Sequence, residues 1–166
     1  MSVAFRLALE ADLPRIVEIY NSIVASRQVT ADTEEQTVAS RLQWFKQHQH
    51  PKRPLYVIEQ AGGVVAWLSF SDFYGRPAYQ HSAEISLYLA EDQRGKGLGK
   101  RLLLAAEPIA QELGIEILLA FIFSHNVPSL ALFEKLGYQD WGQLPNVARM
   151  DQQDYSLTIL GKTLAQ

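Results

Sequence analysis

The strongest constraint on this chain is a glycine-rich turn that joins a strand pattern to a helix pattern. Gly95, Gly97 and Gly99 alternate within five residues, directly after the alternating polar and apolar residues 83–89. Apolar residues at helical spacing follow from Leu102 onward. Glycine adopts positive φ without steric cost, and successive N–H groups in such a turn point inward as an anion site. Because the helix start adds unpaired N–H donors, the segment predicts a phosphate-binding strand-turn-helix unit.

The spacing of this turn separates it from two common nucleotide-binding turns. A dinucleotide-binding turn has glycines at its first, third and sixth positions, whereas here they stand at the first, third and fifth. A P-loop lysine is followed by serine or threonine, whereas Lys100 is followed by Arg101. A plain connection needs neither three glycines nor the nearby cations Arg94 and Lys96. The segment therefore favours a pyrophosphate bound in a different way.

The rest of the chain alternates strand and helix patterns that indicate a mixed α/β or α+β sheet with helices on both faces. Strands are expected at residues 3–9, 55–59, 64–70, 83–89, 115–123, 138–142 and 155–160. Helices are expected after Asp12, after Thr33 as N-cap, after the glycine turn as far as Gly114 with a kink at Pro108, and at residues 128–136.

Composition excludes several classes of protein. The 166 residues are 48% apolar, which suits a single domain over residues 1–166 with a core of its own. The net charge of −3 provides no basic field for nucleic acid. The absence of cysteine excludes disulfides, thiolate metal sites and a cysteine nucleophile, and no metal is expected. No apolar run reaches ~18 residues and the N-terminus lacks a signal-peptide pattern, so no membrane contact and a cytoplasmic location are expected.

Two segments together resemble the GNAT superfamily of N-acetyltransferases. Residues 93–99 match its first signature, in which glutamine or arginine precedes a Gly-x-Gly pattern. Residues 124–138 resemble its second signature, which begins at an asparagine and ends in Glu-x-Leu-Gly followed by an aromatic residue. Two motifs in the expected order are far more specific than either alone. The resemblance extends from the first strand to Leu160 and implies the GNAT fold, with a central, mostly antiparallel twisted sheet and acetyl-CoA as co-substrate.

Three further segments resemble the phosphinothricin N-acetyltransferase group, which includes enzymes for methionine sulfone and methionine sulfoximine. Residues 82–89 are similar to the group's Thr-Ala/Val-Glu strand, and residues 18–21, with Asp12 ahead of them, fit its first helix. Residues 76–79 match its Arg-x-Ala-Tyr connection. The resemblance implies acetyl transfer to the α-amine of a small amino acid or analogue, and a homodimer.

The resemblance also implies which residues contact the donor. The backbone of Leu87, Tyr88 and Leu89 is expected to pair with the pantetheine amides as an added strand. Asn126 and Ser129 are expected to contact CoA, although an asparagine before Pro128 also suits a helix cap. The pyrophosphate nest is expected to consist of Arg94, Gly95, Lys96, Gly97, Leu98, Gly99 and Lys100.

Attack by an amine on a thioester requires a base, and Glu84 is the first candidate. It is a carboxylate in an otherwise apolar or small-residue strand, and spacing alone leaves a solvent-facing or salt-bridged role equally open. The resemblance favours a general base, whose pKa burial would raise. His81 and His125 are rival bases, although a lone histidine is more often structural. His48 and His50 lack metal-ligand helical spacing and are expected to be solvent-exposed.

The remaining site residues concern the acceptor and the leaving group. Arg76 is the candidate partner of an acceptor carboxylate, or a surface arginine, and Tyr79 and Phe73 are candidate pocket walls. Phe133 stands where related enzymes have tyrosine or histidine, and phenylalanine cannot donate a proton to the thiolate. The thiolate would then leave unassisted or meet water. Residues 146–155 lack the group's aromatic and basic run, which leaves the acceptor open.

Two alternatives remain at the level of sequence. The first is a GNAT enzyme for another amine, such as a polyamine, an aminoglycoside or a peptide N-terminus. The cationic acceptors would favour an acidic pocket, and the candidate region holds only Glu84 and Asp72. The second is a non-catalytic acyl-CoA-binding sensor, which Phe133 makes a real alternative.

Overall fold

The computed structural model describes residues 4–165, and its backbone forms a seven-stranded mixed sheet. The strands lie in the order β1-β2-β3-β4-β5-β7-β6, in which β4 and β5 are parallel and the other neighbours are antiparallel. This confirms the predicted mixed α/β architecture; Val3, where the first predicted strand begins, lies outside the described residues. The strands are β1 (Ala4–Leu7), β2 (Leu55–Gln60), β3 (Gly63–Asp72), β4 (Ser82–Leu89), β5 (Ile117–Phe123), β6 (Gln139–Met150) and β7 (Gln153–Thr163).

Helices cover both faces of the sheet, and each face has its own apolar core. One face packs against α1 and α2 and buries Leu13 and Trp67; we call it the α1 face. The other packs against α3 and α4 and buries Leu102 and Phe133; we call it the α3 face. Because side chains alternate along a strand, Glu84, Ser86 and Tyr88 of β4 lie on the α1 face and Ile85, Leu87 and Leu89 on the α3 face. The helices are α1 (Leu13–Val24), α2 (Val38–Gln47), α3 (Leu98–Glu112) and α4 (Val127–Lys135).

The sheet opens between its two parallel strands. β4 and β5 are paired only at their N-terminal ends, and the last pair joins Glu84 to Leu119. Beyond this point β4 continues beside β3 as far as Leu89, whereas β5 continues beside β7 as far as Phe123. Within residues 4–165, the second half of β4 therefore has a strand partner on one edge only.

The helix after the glycine turn matches its predicted extent. α3 begins at Leu98, directly after Gly97, and buries a stripe of apolar residues against the sheet. It continues through Pro108, which lies on the exposed side of the helix. Gly114, with φ of +80°, follows the end of the helix, as the sequence predicted.

The predicted start of α2 was wrong by four residues. Thr37, not Thr33, is the N-cap, and its side chain accepts a hydrogen bond from the backbone N–H of Ser40 at 3.0 Å. The residues before it are held against α1, where the side chain of Asn21 exchanges two hydrogen bonds of 2.8 Å with the backbone of Gln36. Glu34 and Glu35 therefore lie ahead of the helix rather than in its first turn, because this side-chain contact keeps the segment extended.

The predicted ends of the last two strands were also wrong, since β6 and β7 form one long hairpin. Pro145 lies within an irregularity of the β6–β7 pairing between Leu144 and Ala148. The hairpin turn at Asp151 and Gln152 places both residues at positive φ, +53° and +65°, without glycine. The turn lacks the Asn-Gly or Asp-Gly dipeptide by which such hairpin turns are recognised in a sequence.

Candidate active site

The glycine turn has the geometry of an anion site. Gly95 and Gly97 have φ of +72° and +78°, and Gly97 is the N-cap of α3. The first intrahelical bond of α3 runs from Arg101 N–H to the Gly97 carbonyl at 3.3 Å, so the preceding N–H groups at the helix start have no intrahelical acceptor. A Cβ at Gly95 or Gly97 would meet no atom within 4 Å, so the space in front of the turn is open.

Gly99 has a different role from the other two glycines. It lies inside α3 on the α3 face, and a Cβ there would approach Leu132 at 3.5 Å, Leu89 at 3.7 Å and Leu87 at 4.0 Å. These are ordinary van der Waals distances, and the backbone of Gly99 is helical. Of the three glycines predicted to bind phosphate through positive φ, two have that conformation.

The cations near the turn also divide into two kinds. The guanidinium of Arg94 donates hydrogen bonds to the Ser22 hydroxyl at 2.7 Å and to the Leu89 carbonyl at 3.2 Å, and so ties the turn to α1. Lys96 and Lys100 are exposed. The lysines therefore supply positive charge beside the open space, whereas Arg94 contacts the protein.

The free edge of β4 leads from this turn into the sheet. Leu87, Tyr88 and Leu89 pair with Leu68, Trp67 and Ala66 of β3, and have no strand on the side of β5 among the residues described. An extended chain with amide groups could pair with that edge by backbone hydrogen bonds. The edge ends at Glu84, where β4 meets β5.

Glu84 lies where the two strands separate. On the α1 face it stands directly opposite Ser71 of β3 and Leu119 of β5. Within residues 4–165 its carboxylate makes no hydrogen bond or salt bridge. Burial raises the pKa of Glu84 above its ordinary value, because the charged form loses solvent. A half-buried carboxylate with no protein partner is free to accept a proton from a bound ligand.

An aromatic wall stands next to Glu84 on the same face. Phe121 is two residues beyond Leu119 on β5 and therefore lies on the α1 face. Its ring centroid is 6.3 Å from that of Phe73, which is 5.7 Å from that of Tyr79. The guanidinium of Arg76 lies 6.0 Å from the ring of Tyr74. The three predicted acceptor residues thus lie together on the connection between β3 and β4. The structure adds Phe121, which the sequence could not single out because every residue of β5 is apolar.

The β5–α4 junction is tied to the segment after α1. His125 Nε2 lies 2.8 Å from the Arg27 carbonyl, and the Asn126 amide donates to the Gln28 carbonyl at 3.2 Å. The same Asn126 side chain accepts from the Ser129 N–H at 3.3 Å and caps α4. Arg27 also forms a salt bridge of 2.7 Å with Asp151 at the β6–β7 turn. Asn126 therefore has a structural role in addition to the predicted contact with CoA.

Phe133 is a packing residue. It is buried on the α3 face, where its ring stands edge-on to Tyr138 at 4.9 Å. It carries no proton that could be donated.

The prediction that His48 is solvent-exposed was wrong. His48 is 8% exposed and forms the C-cap of α2. Its Nδ1 lies 3.0 Å from the Trp44 carbonyl, and its Nε2 lies 3.0 Å from the Ser71 hydroxyl. The ring packs 5.1 Å from the indole of Trp44. A histidine at a helix end is expected to face solvent, but here the connection from α2 to β2 turns the ring onto the sheet; His50 is exposed, as predicted.

A groove of about 1010 Å³ lies beside this histidine, at the end of β3. It is lined by polar and charged groups that include His48, Ser71, Arg76 and His81. One wall is held by Arg53, which forms a salt bridge of 2.7 Å with Asp72. The groove and the aromatic wall share Arg76 and Tyr79, so the connection after β3 borders both.

The described residues contain neither a membrane-spanning helix nor a metal-binding cluster of side chains. None of the helices between residues 4 and 165 is long and apolar enough to cross a membrane. Over the same residues, no group of three or more histidine, cysteine, aspartate or glutamate side chains is arranged to hold a metal ion.

Comparison with known proteins supports the inference from the turn and the open sheet. Residues 16–138 match the family model described as the Acetyltransferase (GNAT) family. The chain is 54% identical over 164 residues to YwnH of Bacillus subtilis, which carries a provisional phosphinothricin acetyltransferase name; 98% of this chain and 100% of that protein are covered. It is 34% identical to the L-methionine sulfoximine/L-methionine sulfone acetyltransferase of Pseudomonas aeruginosa, with 96% and 94% covered.

A solved structure adds the donor to this comparison. The GNAT superfamily phosphinothricin acetyltransferase of Sinorhizobium meliloti, solved in complex with AcCoA, superposes with a TM-score of 0.90. Its sequence is 28% identical, and the match covers 99% of this chain and 90% of that one. The match of the family model and the two relatives agree with the glycine turn, the open edge of β4 and the mixed sheet. The chain therefore belongs to the acetyltransferase (GNAT) family and is an N-acetyltransferase of that type.

Proposed function

We propose that this enzyme takes the acetyl group from acetyl-CoA and transfers it to the α-amine of a small amino acid or analogue of the phosphinothricin, methionine sulfoximine or methionine sulfone type. Glu84 acts as general base. The observation that carries the proposal is the position of Glu84, half-buried at the point where β4 and β5 separate and without a hydrogen-bond or salt-bridge partner among residues 4–165. The pyrophosphate turn stands at one end of the free β4 edge and this carboxylate at the other.

The donor is held mainly by backbone groups. The pyrophosphate is bound by the turn and the first N–H groups of α3, with the charge of Lys96 and Lys100 beside it. The pantetheine amides pair with the free edge of Leu87, Tyr88 and Leu89, which directs the thioester towards Glu84. Support comes from the open geometry of both elements and from the AcCoA complex of the Sinorhizobium meliloti relative.

The acceptor lies on the α1 face, against the aromatic wall. Phe73, Tyr79 and Phe121 contact its side chain, and Arg76 is the cation for its α-carboxylate. This choice of acceptor rests on the names of the relatives and on the aromatic and basic character of the wall. The one other carboxylate that the sequence placed in this region, Asp72, is paired with Arg53, which favours an amino acid over a polycation.

The acetyl transfer depends on the protonation state of Glu84. The ammonium of the acceptor transfers one proton to the Glu84 carboxylate, and the neutral amine attacks the thioester carbonyl carbon. The C–S bond then breaks, and the sulfur leaves as a thiolate that takes a proton from the amine nitrogen or from water. Phe133 takes no part in this step, because its ring has no exchangeable proton. The raised pKa of Glu84 brings its basicity closer to neutral pH, where a general base is most effective.

The test is a free-thiol release assay with acetyl-CoA and a panel of amines. The panel contains phosphinothricin, methionine sulfone, methionine sulfoximine, ordinary amino acids, spermidine, an aminoglycoside and a peptide. We expect turnover with the first three and little with the last three. Binding of acetyl-CoA is followed separately by thermal shift.

The outcomes of this assay separate the alternatives. Turnover with spermidine, the aminoglycoside or the peptide alone would assign another amine to the same fold. Stabilisation by acetyl-CoA without turnover on any amine would indicate an acyl-CoA sensor. Loss of both would overturn the whole proposal.

We also propose that residues 1–166 form a single acetyltransferase domain that acts in the cytoplasm as a homodimer. Continuity of the sheet from β1 to β6 supports the single domain. The edge strand β6 has a neighbour on one side and carries Trp141 and Val147, 45% and 56% exposed, which suits contact with a second copy. Light scattering on a sizing column tests the dimer: a monomeric mass at micromolar concentration contradicts it.

A further inference from the structure

The groove at the end of β3 has no part in the function proposed so far. Its volume of about 1010 Å³ is at the upper end of the ~300–1,000 Å³ that small-molecule sites occupy. Residues from the connection after α2, the connection between β3 and β4, and the turn after α3 line it. It shares Arg76 and Tyr79 with the acceptor wall. Most of the lining therefore lies outside that wall, and the groove has room for a second ligand.

Positively charged groups predominate in this lining, although the chain as a whole has a net charge of −3. The described lining residues include three lysine or arginine side chains, three histidines and one carboxylate, namely Lys52, Arg53, Arg76, His48, His50, His81 and Asp72. A concave surface with charge of one sign raises the local concentration of ions of the opposite sign. The groove therefore attracts anions to one end of a protein that otherwise repels them.

Arg53 and Asp72 neutralise each other and hold one wall of the groove. Arg53 Nε donates to Asp72 Oδ1 at 2.7 Å. Its other two nitrogens donate to the backbone carbonyls of Lys52 and Gln80, each at 2.8 Å. The Arg53 side chain is only 11% exposed. Because each of its nitrogens has a protein acceptor, Arg53 cross-links two connections, and it also cancels the charge of the one carboxylate in the lining.

The other cations of the groove are free to bind a ligand. Within residues 4–165, the side chains of Lys52 and Arg76 form no salt bridge and no hydrogen bond, and both are exposed. The one close contact of the Arg76 guanidinium is the ring of Tyr74 at 6.0 Å, which leaves its N–H groups unpaired. His50 Nδ1 accepts the backbone N–H of Lys52 at 3.1 Å, so the proton of the neutral ring is on Nε2. The groove thus offers three kinds of N–H donor.

The placement of these donors selects a ligand with more than one anionic group. His50 and Lys52 belong to the connection after α2, whereas Arg76 belongs to the connection between β3 and β4. A ligand that contacts both sides needs an anionic group at each end. Carboxylates and phosphates form the strongest hydrogen bonds with such cations.

We propose that the groove is a second anion site, which binds a small molecule with two or three carboxylate or phosphate groups and competes with the acceptor for Arg76. The competition rests on the proposed role of Arg76 as the cation for the acceptor carboxylate. The site itself does not depend on that role, because His50 and Lys52 lie outside the acceptor wall.

The groove is separate from the anion site of the glycine turn. His81 of the groove directly precedes β4, and the turn follows its last residue, Leu89. Eight residues of extended strand span about 23 Å, so the two sites lie at opposite ends of β4. A ligand of the groove should therefore bind while acetyl-CoA occupies the turn, and this condition separates the two sites in solution.

The first test is calorimetric titration of the enzyme saturated with acetyl-CoA, at constant ionic strength. The titrants are citrate, pyrophosphate and, as a singly charged control, acetate. We expect one molecule of citrate or pyrophosphate to bind per chain and acetate to give no measurable heat. Binding of citrate alone identifies a carboxylate ligand, and binding of pyrophosphate alone identifies a phosphate ligand. If neither binds at concentrations up to about 10 mM, the site does not exist.

A matched pair of lysine variants places the bound anion in the groove. Lys52→Gln should raise the Kd of the anion about tenfold or more, because it removes a hydrogen bond between two charged groups. Lys46→Gln, at an exposed lysine in the last turn of α2 that does not line the groove, should leave the Kd unchanged. An equal loss of affinity in both variants would mean that the anion responds to overall charge, and it would refute the site.

The competition is tested in the thiol-release assay. Whichever of citrate and pyrophosphate binds should raise the KM for methionine sulfone and leave kcat and the KM for acetyl-CoA unchanged, and this rise should disappear in Lys52→Gln. A fall in kcat with an unchanged KM for the acceptor would contradict competition for Arg76. Calorimetric binding that depends on Lys52, together with no acetyl transfer to any amine, would refute the proposed function and leave the anion site standing.

Discussion

The two faces of the sheet present different kinds of chemical group. The α3 face is apolar, and the turn that opens α3 offers backbone N–H groups to a ligand. The α1 face carries Glu84 of β4, Ser71 of β3 and His48 at the end of α2, beside an aromatic wall that β5 and the β3–β4 connection form. Under the proposed function, the donor is recognised by backbone geometry within one contiguous stretch, and the acceptor is recognised by side chains that only the folded sheet brings together.

The largest effect expected from this contrast is on kcat, from a change at Glu84 on the α1 face. Under the proposed function, Glu84→Gln removes the general base and should lower kcat by about 10²- to 10⁴-fold, while the Kd for acetyl-CoA stays within about twofold. In the wild type, kcat/KM should fall as pH drops through the pKa of Glu84, which burial raises, because only the carboxylate accepts a proton. Glu116→Gln, an exposed carboxylate before β5, is the matched control. A Glu84→Gln enzyme with full activity would remove the distinction between the faces.

The next largest effect is on the free energy of unfolding, and it compares one glycine from each face. Gly161 of β7 lies under the indole of Trp141, and a Cβ there would overlap that ring, so Gly161→Ala should destabilise the protein by about 1–3 kcal/mol. Gly99→Ala on the α3 face meets only ordinary contacts and should gain up to about 1 kcal/mol of helix propensity. Urea unfolding measures both. If Gly161→Ala is as stable as the wild type, Trp141 moves away from the new methyl group without loss of stability. Trp141→Ser, which removes the ring, should restore the stability that Gly161→Ala loses.

The third effect tests whether the donor turn acts through its backbone. Gly97→Ala places a Cβ at φ of +78°, which costs about 1–2 kcal/mol, and should raise the Kd for acetyl-CoA about tenfold. Gly62, with φ of +80° in the β2–β3 turn, gives a control with the same strain away from the site. Calorimetric titration should show unchanged affinity in Gly62→Ala. If both variants lose affinity, the effect comes from stability rather than from the turn.

The same contrast explains how far the sequence could predict the site. The turn at residues 93–100 was recognisable because its glycines, cations and flanking elements are adjacent in the chain. Phe121 was not, because every residue of β5 is apolar and gives no alternation that would separate one face from the other. His48 was placed in solvent because a helix end carries no information about where the next loop turns. Within the site, local motifs were predictable and long-range packing was not.

A smaller effect is expected at the aromatic wall. Phe121→Ala removes a ring that contacts Phe73 and, under the proposed function, the acceptor, and should raise the KM for methionine sulfone about 2- to 10-fold. The KM for acetyl-CoA should not change. Phe121→Leu keeps most of the apolar volume, and its KM for methionine sulfone should lie between those of the wild type and Phe121→Ala. If the change alters the KM for acetyl-CoA alone, the wall belongs to the donor site and the division between faces is misplaced.

The smallest effect is on stability and has the opposite sign to the first. The pKa of Glu84 is higher in the folded than in the unfolded chain, so between these two values the folded state binds more protons and stability falls as pH rises. Below the unfolded pKa, the group is protonated in both states and this cost is absent. Glu84→Gln should therefore raise Tm slightly at pH 7–8 and leave it unchanged near pH 4, whereas Glu116→Gln should shift neither. A lower Tm at neutral pH would mean that the carboxylate is stabilised by its surroundings, and it would then be a poor base.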